Sequence, residues 1–334
     1  MPRTARRFIL AGALCGGMLA MAGTAQAQSL PKDAPARVEL YTIPTLTLSD
    51  QQFLTGDANA GTPVSVAGEF RLARGLGRLP VVVLMHGSSG VGATMDAWVH
   101  HFNAMGISTL VIDGFTGRGL TTVGSNQALL GRLNLIVDIY RSLEILAHHP
   151  RVDPERIVLM GFSRGGQAAL FASLDRFNHL WNKSGIRFAG YVPFYPDCST
   201  SYVGDTEIAD IPIRIFHGTP DDYNPVASCK AYVARLIEAK RDVVLTEYPE
   251  SEHAFDAGLL GVSNKAVSAD AQTVRHCRIK EGENGVLMNA DTQTPFTYKD
   301  PCVELNPHVG GNPQTAEQAR KTVSDFLVAL FKLG

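Results

Sequence analysis

Little in this 334-residue chain ties it to a nucleic acid, a nucleotide or a lipid bilayer. Its formal charge is −2, and without the leader arginines Arg3, Arg6 and Arg7 it falls by three to −5, the opposite of the basic surplus that a phosphate backbone demands. That argues against a nucleic-acid partner. The glycine-rich run His86-Gly87-Ser88-Ser89-Gly90 is not followed by Gly-Lys-Ser/Thr, and no dinucleotide fingerprint occurs, so neither phosphate-cradling motif is present. Outside the N-terminal leader no stretch is apolar and long enough to span a bilayer, which argues against a stable membrane anchor. No repeat, low-complexity tract or Pro/Ser-rich linker divides the chain. Cysteine is scarce, at five residues, and no close Cys-x-x-Cys pair is found.

What is present begins with that leader. Arg3, Arg6 and Arg7 precede an apolar, small-residue run from Phe8 to Ala22, and Ala25-Gln26-Ala27 has the A-x-A form of a cleavage site. The pattern is a secretory signal peptide over residues 1–27, with Gln28 as the mature N-terminus. A membrane anchor is the competing reading, but the apolar core is short and the cleavage site follows it directly. Leu14 before Cys15 argues against lipidation, and Arg6-Arg7 leaves twin-arginine export open beside the general route. The expected compartment is the bacterial periplasm or the exterior. Residues 28–334 then suit one large α/β domain.

Removing the leader takes Cys15 with it and leaves Cys198, Cys229, Cys277 and Cys302. An even number in an oxidising compartment points to two disulfides, with three possible pairings. Order and context favour Cys198–Cys229 and Cys277–Cys302. The rival is a metal site formed by the second pair with His276 and His308.

Apolar runs bounded by turn residues predict strands at Pro80–His86, Ile107–Asp113, Ile157–Met160, Phe188–Phe194, Ile211–His217 and Val243–Tyr248. Several are continuously apolar, as in parallel strands covered on both faces. Helical stripes alternate with them. One is Leu129, Leu133, Ile136, Tyr140, Leu143 and Ala147, stopped by Pro150. Another is Val323, Phe326, Leu327, Leu330 and Phe331, with Thr315 and Gln318 as a possible capping box. This alternation predicts an α/β fold, a doubly wound and mostly parallel sheet with helices on both faces. Residues 29–78 are expected to add antiparallel edge strands. A long Gly-, Asn- and Asp-rich stretch at about 258–312 reads as an excursion stapled by the second disulfide.

The chemistry concentrates where the run Ile157-Val158-Leu159-Met160 ends in Gly161-Phe162-Ser163-Arg164-Gly165-Gly166 and continues as a helix. Gly-x-Ser-x-Gly between strand and helix is the nucleophile elbow, in which a sharp turn exposes the serine hydroxyl at a helix N-terminus. A serine nucleophile needs a base, and the base needs an orienting acid, in the chain order Ser, acid, His. Asp221 and Asp222 follow the strand ending at His217. Asp221 has the better spacing and Asp222 is the fallback. His253 follows the next strand and alone among the histidines satisfies order and position. His86 and His217 read as structural, and His100, His101, His148 and His149 as surface residues. An oxyanion needs two aimed N–H groups. The backbone of Arg164 is one, and Ser88, with Ser89 next, supplies the other.

Taken together, Val83-Leu84-Met85-His86-Gly87, Asp113-Gly114-Phe115-Thr116-Gly117-Arg118-Gly119, the elbow with its doubled glycine, Asp221-Asp222-Tyr223-Asn224-Pro225 and His253-Ala254-Phe255-Asp256 resemble the dienelactone hydrolase family of the α/β-hydrolases across roughly residues 65–260. The resemblance implies the α/β-hydrolase fold and hydrolysis. The chain departs from it in having serine rather than cysteine as nucleophile, a leader, four cysteines and the excursion after His253. The expectation is an exported serine hydrolase acting on a small-molecule ester or lactone, without metal or cofactor; no oligomeric state is specified. The rivals are a peptidase related to the prolyl oligopeptidases and a catalytically silent binding protein. Arg118 and Arg164 are candidates to hold a substrate carboxylate by bidentate hydrogen bonds, against a purely structural role.

Overall fold

The computed structural model describes residues 33–333 and Pro2. Apart from Pro2, the leader read at residues 1–27 therefore lies outside the described residues. Residues 33–333 gather into one unit. Its centre is an eight-stranded sheet: β1 (Arg37–Thr47), β2 (Thr62–Leu72), β3 (Leu79–Met85), β4 (Ser108–Asp113), β5 (Val152–Phe162), β6 (Gly190–Phe194), β7 (Ile213–Gly218) and β8 (Val243–Tyr248). The spatial order is β1-β2-β4-β3-β5-β6-β7-β8. From β4 to β8 all pairings are parallel, and the β1–β2 hairpin joins β4 antiparallel, so the N-terminal segment forms the edge.

The apolar runs follow from burial on both faces. In β3, Val81, Val83 and Met85 enter one core while Val82 and Leu84 enter the other; Ile157 and Leu159 of β5 are separated from Val158 and Met160 in the same way. β5 begins five residues before the apolar run, because Val152 pairs with Leu79 across a register shift.

Among the described residues seven α-helices accompany the sheet: α1 (Asp50–Thr55), α2 (Ala93–Ala104), α3 (Asn134–His148), α4 (Arg164–Phe171), α5 (Asp175–Trp181), α6 (Val226–Glu238) and α7 (Pro313–Phe331). Trp98 and Phe102 of α2 join Val323 and Leu327 of α7 in one core; Tyr140 and Leu143 of α3, Leu170 of α4 and Tyr232 of α6 lie in the other. Two helix starts differ from the sequence reading. Leu129 belongs to a separate 3-10 turn, Gln127–Leu129, and is half exposed, so the α3 stripe opens only at Leu133. α7 starts three residues earlier than a Thr315 cap requires. The Asn312 side chain accepts from Thr315 N at 3.1 Å and Pro313 occupies the first turn, where its missing N–H costs nothing.

Both disulfides pair as order and context favoured, Cys198 with Cys229 and Cys277 with Cys302. With the second pair oxidised, its thiolates are not free to bind a metal, and His308 turns to Asp222 instead. The Cys198–Cys229 bond ties the segment after β6 to α6, just beyond the loop that carries Asp221. Cys198→Ser is expected to lower stability by about 2–5 kcal/mol while leaving any serine nucleophile in place; paired urea melts and esterase assays on the same sample check both halves.

Residues 258–312 fold back on themselves as short antiparallel ladders, Lys265–Val267 with His308–Gly310 and Gln272–Thr273 with Glu304–Leu305. Ile279–Glu281 adds parallel to Thr200–Ser201, and Arg176 pairs with Glu281, so the excursion is anchored to the hydrolase body. Its return is also fixed: Gly310 N donates to His253 O and Asn312 N to Phe255 O, both at 2.9 Å.

Candidate active site

Ser163 stands between β5 and α4 with φ 55° and ψ −116°, a backbone region that costs a non-glycine residue about 1–3 kcal/mol. The surrounding sequence is what permits it. A Cβ on Gly165 would lie 2.3 Å from Met85 O, and one on Gly161 would lie 2.0 Å from Gly165 O. Both positions must therefore be glycine for strand and helix to close around the serine. Ser163 N donates to Phe194 O at 3.0 Å, which fixes the turn against β6.

The loops after β7 and β8 bring two more side chains to this point. The Ser163 hydroxyl meets His253 Nε2 at 2.8 Å, and His253 Nδ1 meets Asp221 Oδ2 at 2.8 Å. Nδ1 carries the proton in the neutral ring, because Nε2 is the acceptor for the hydroxyl. The other oxygen of Asp221 accepts from Tyr223 N (2.9 Å) and Asn224 N (2.8 Å), so the carboxylate is held on both sides. Both side chains are buried. Asp222, the fallback acid, points elsewhere: it accepts from His308 N and Nδ1 and from Arg275. His86 and His217 are buried, and burial pushes both below the ordinary imidazole range. His86 Nε2 accepts from Gly114 N at 3.0 Å, a bond that braces the loop after β4.

Several residues with no role assigned from sequence complete the surroundings. The imidazole of His253 lies between Tyr223, stacked at 4.6 Å, and Tyr195, tilted at 4.6 Å. Tyr195 follows β6 directly, with φ 36°. Its hydroxyl donates to Asp256 Oδ1 at 2.6 Å, and Trp98 Nε1 donates to Asp256 Oδ2 at 3.0 Å. Burial pushes the Asp256 carboxyl up, against these two bonds. A position at a strand's C-terminal end was the available signal for Tyr195. Gln127, which bonds both Ser88 Oγ (3.1 Å) and Arg164, had none.

Ser88 and Ser89 sit in a tight turn closed by Gly90 N to Gly87 O at 3.2 Å, and with Ser163 they line one cavity of about 420 Å³. Arg164 opens α4, so its backbone N–H is one of the unpaired first-turn donors. Its side chain corrects the sequence expectation. The guanidinium is buried, donating to Gln127 Oε1 (2.6 Å), Gly131 O (3.0 Å) and Leu130 O, and braces α4 rather than a substrate.

Arg118 is corrected in the same sense. Its fork holds both oxygens of Asp138, at 2.7 and 2.9 Å, and its remaining donors reach Gly114 O, Leu46 O and Thr47 Oγ1. With the side chains 4% and 0% exposed, the pair is a buried structural clasp between β1 and α3, and it does not line the cavity.

No curated protein matches the chain by sequence. The model of the dienelactone hydrolase family matches residues 71–276, more than half of the chain. Among solved structures the chain is similar to a dienelactone hydrolase-like promiscuous phosphotriesterase from metagenomic libraries, at 15% identity and TM-score 0.54, over 88% of this chain and 98% of that one. It is similar to a structure described as m3DLH at 17% identity and TM-score 0.55, with coverage of 88% and 98%. It also resembles the carboxylesterase Cest-2923 from Lactobacillus plantarum at 15% identity and TM-score 0.49, with coverage of 66% and 86%. The strand order, the parallel sheet and the family match lead to one statement: this chain belongs to the dienelactone hydrolase family, has the α/β-hydrolase fold, and is a carboxylic ester hydrolase.

Proposed function

We propose that this enzyme is an exported serine hydrolase that cleaves a carboxylic ester or lactone by way of an acyl-enzyme, with Ser163 as nucleophile, His253 as general base and Asp221 as the group that orients it. The observation that carries this reading is the pair of 2.8 Å hydrogen bonds from Asp221 through His253 to a serine in a strained turn at a cavity wall. In the first step His253 Nε2 takes the hydroxyl proton as Ser163 Oγ bonds to the carbonyl carbon. The imidazolium so formed is stabilised by Asp221 at Nδ1. The tetrahedral oxyanion is received by the backbone N–H groups of Arg164 and Ser88, each of which is worth about 10²–10³-fold in rate in sites of this kind. Collapse expels the alkoxide, which leaves with the proton from Nε2. Water, deprotonated by the same nitrogen, then releases the acid and restores Ser163.

The leader at residues 1–27 and the two disulfides support export to the periplasm or the exterior, where cysteine pairs persist. The test is intact-protein and peptide mass spectrometry after treatment with a fluorophosphonate. A single adduct on Ser163, absent in His253→Ala, is expected. An unlabelled protein that also leaves p-nitrophenyl esters untouched would move the reading to a binding protein on a hydrolase scaffold.

A further inference from the structure

The cavity beside Ser163 is walled mostly by neutral residues, many of them small, with Met95 and Phe162 among the larger ones. The Gly87–Gly90 turn forms one side, Gly124 and Ser125 another, and Ser268, Ala269 and Ala271 of the excursion a third, with Tyr195 and Tyr223 at the imidazole. Among the described residues that line it, the ionisable groups other than tyrosine are His253, engaged with Asp221, and Asp256, engaged with Tyr195 and Trp98. Neither is free to pair with a carboxylate on a substrate.

The terminal nitrogens of the arginines in the surrounding loops are taken by other groups, although Nε of Arg132 and of Arg164 is buried without a partner. Arg118 is clasped to Asp138, and Arg164 is held by Gln127 and two carbonyls. Arg275 lies between Asp222 and Glu304. Arg132 is paired with Asp197 and donates to Tyr298. Arg132 and Arg164 do line a second chamber behind Ser163, but at about 30 Å³ it has room for roughly a water or two and not for the arm of a substrate.

A carboxylate drawn from water into such a cavity loses hydration and gains no counter-charge, whereas an uncharged ester of the same size loses far less. We infer that this cavity selects uncharged esters and rejects esters that carry a carboxylate. The inference rests on the serine-hydrolase reading above and narrows its substrate class.

The test compares dimethyl glutarate with monomethyl glutarate, two esters of near-equal size that differ by one negative charge, as initial rates in a pH-stat at pH 7.5. The kcat/KM of the monoester is expected to fall about 100-fold below that of the diester. A second arm uses Ala269→Arg, which adds a cation to an exposed part of the wall. It is expected to narrow the ratio by about tenfold through gained activity on the monoester, a change that misfolding does not mimic. Equal turnover of the two esters by the unmodified enzyme overturns the inference and leaves the hydrolase reading standing. An unchanged ratio in Ala269→Arg overturns charge as its cause. If neither ester is cleaved and fluorophosphonate leaves Ser163 free, the hydrolase reading falls and the inference with it.

Discussion

Replacing Ser163 by alanine is expected to lower kcat on p-nitrophenyl esters by about 10⁴–10⁶-fold with little change in the melting transition. The size follows from the way the three side chains act as a unit. Without Oγ there is no atom to receive the acyl group, and the 2.8 Å bond to His253 Nε2 has no function in its absence. What remains is the contribution of the oxyanion donors and of substrate binding. The fold should persist because alanine fits the space of serine and adds no new contact. A companion variant separates strain from chemistry. At φ 55° any Cβ is unfavourable, so Ser163→Gly should be equally inactive but more stable than the alanine variant by about 1 kcal/mol. Residual turnover within tenfold of the parent in both variants would remove Ser163 from the mechanism.

Arg118→Ala carries the largest expected loss of stability, about 3–5 kcal/mol, measured by urea titration. The change leaves Asp138 wholly buried, with Thr45 Oγ1 as its remaining side-chain partner, and it also removes donors from Gly114 O and Leu46 O. The same experiment tests the correction to the sequence reading. An arginine that held substrate would raise KM and leave the denaturation midpoint where it was. An arginine that clasps β1 to α3 shifts the midpoint, and the enzyme that remains folded keeps its KM.

Arg118, left open in the sequence between a substrate contact and a structural role, shows what a linear chain displays. Its position after β4, in Asp113-Gly114-Phe115-Thr116-Gly117-Arg118-Gly119, was legible, because the strand pattern and the loop order are local properties. Its direction was not, since that depends on Asp138, twenty residues away on a helix whose inward face only the tertiary packing defines. Ser163, Asp221 and His253 were readable as candidates for the converse reason. Each sits just past a strand's C-terminal end, and parallel strands deliver those ends to one edge. Spacing favoured Asp221 over Asp222, and the loop's course sets the two apart: the first accepts from Tyr223 and Asn224 and the second faces His308. Asp256 lay in plain view beside His253, yet nothing local joins it to Trp98 and Tyr195. The start of α7 lies ahead of the Thr315–Gln318 box because Asn312 caps the helix and Pro313 fits its first turn.

The return of the excursion beside its point of departure has an evolutionary side. The backbone bonds from Gly310 and Asn312 to His253 and Phe255 mean that the chain leaves the hydrolase body and re-enters it at nearly the same place. Such a segment can be lengthened, shortened or exchanged without altering the register of any strand in the central sheet. Its residues nevertheless supply a wall of the reaction chamber. The cavity beside Ser163 is thereby bounded by two stretches of polypeptide, the hydrolase body and an excursion whose length the central sheet does not constrain.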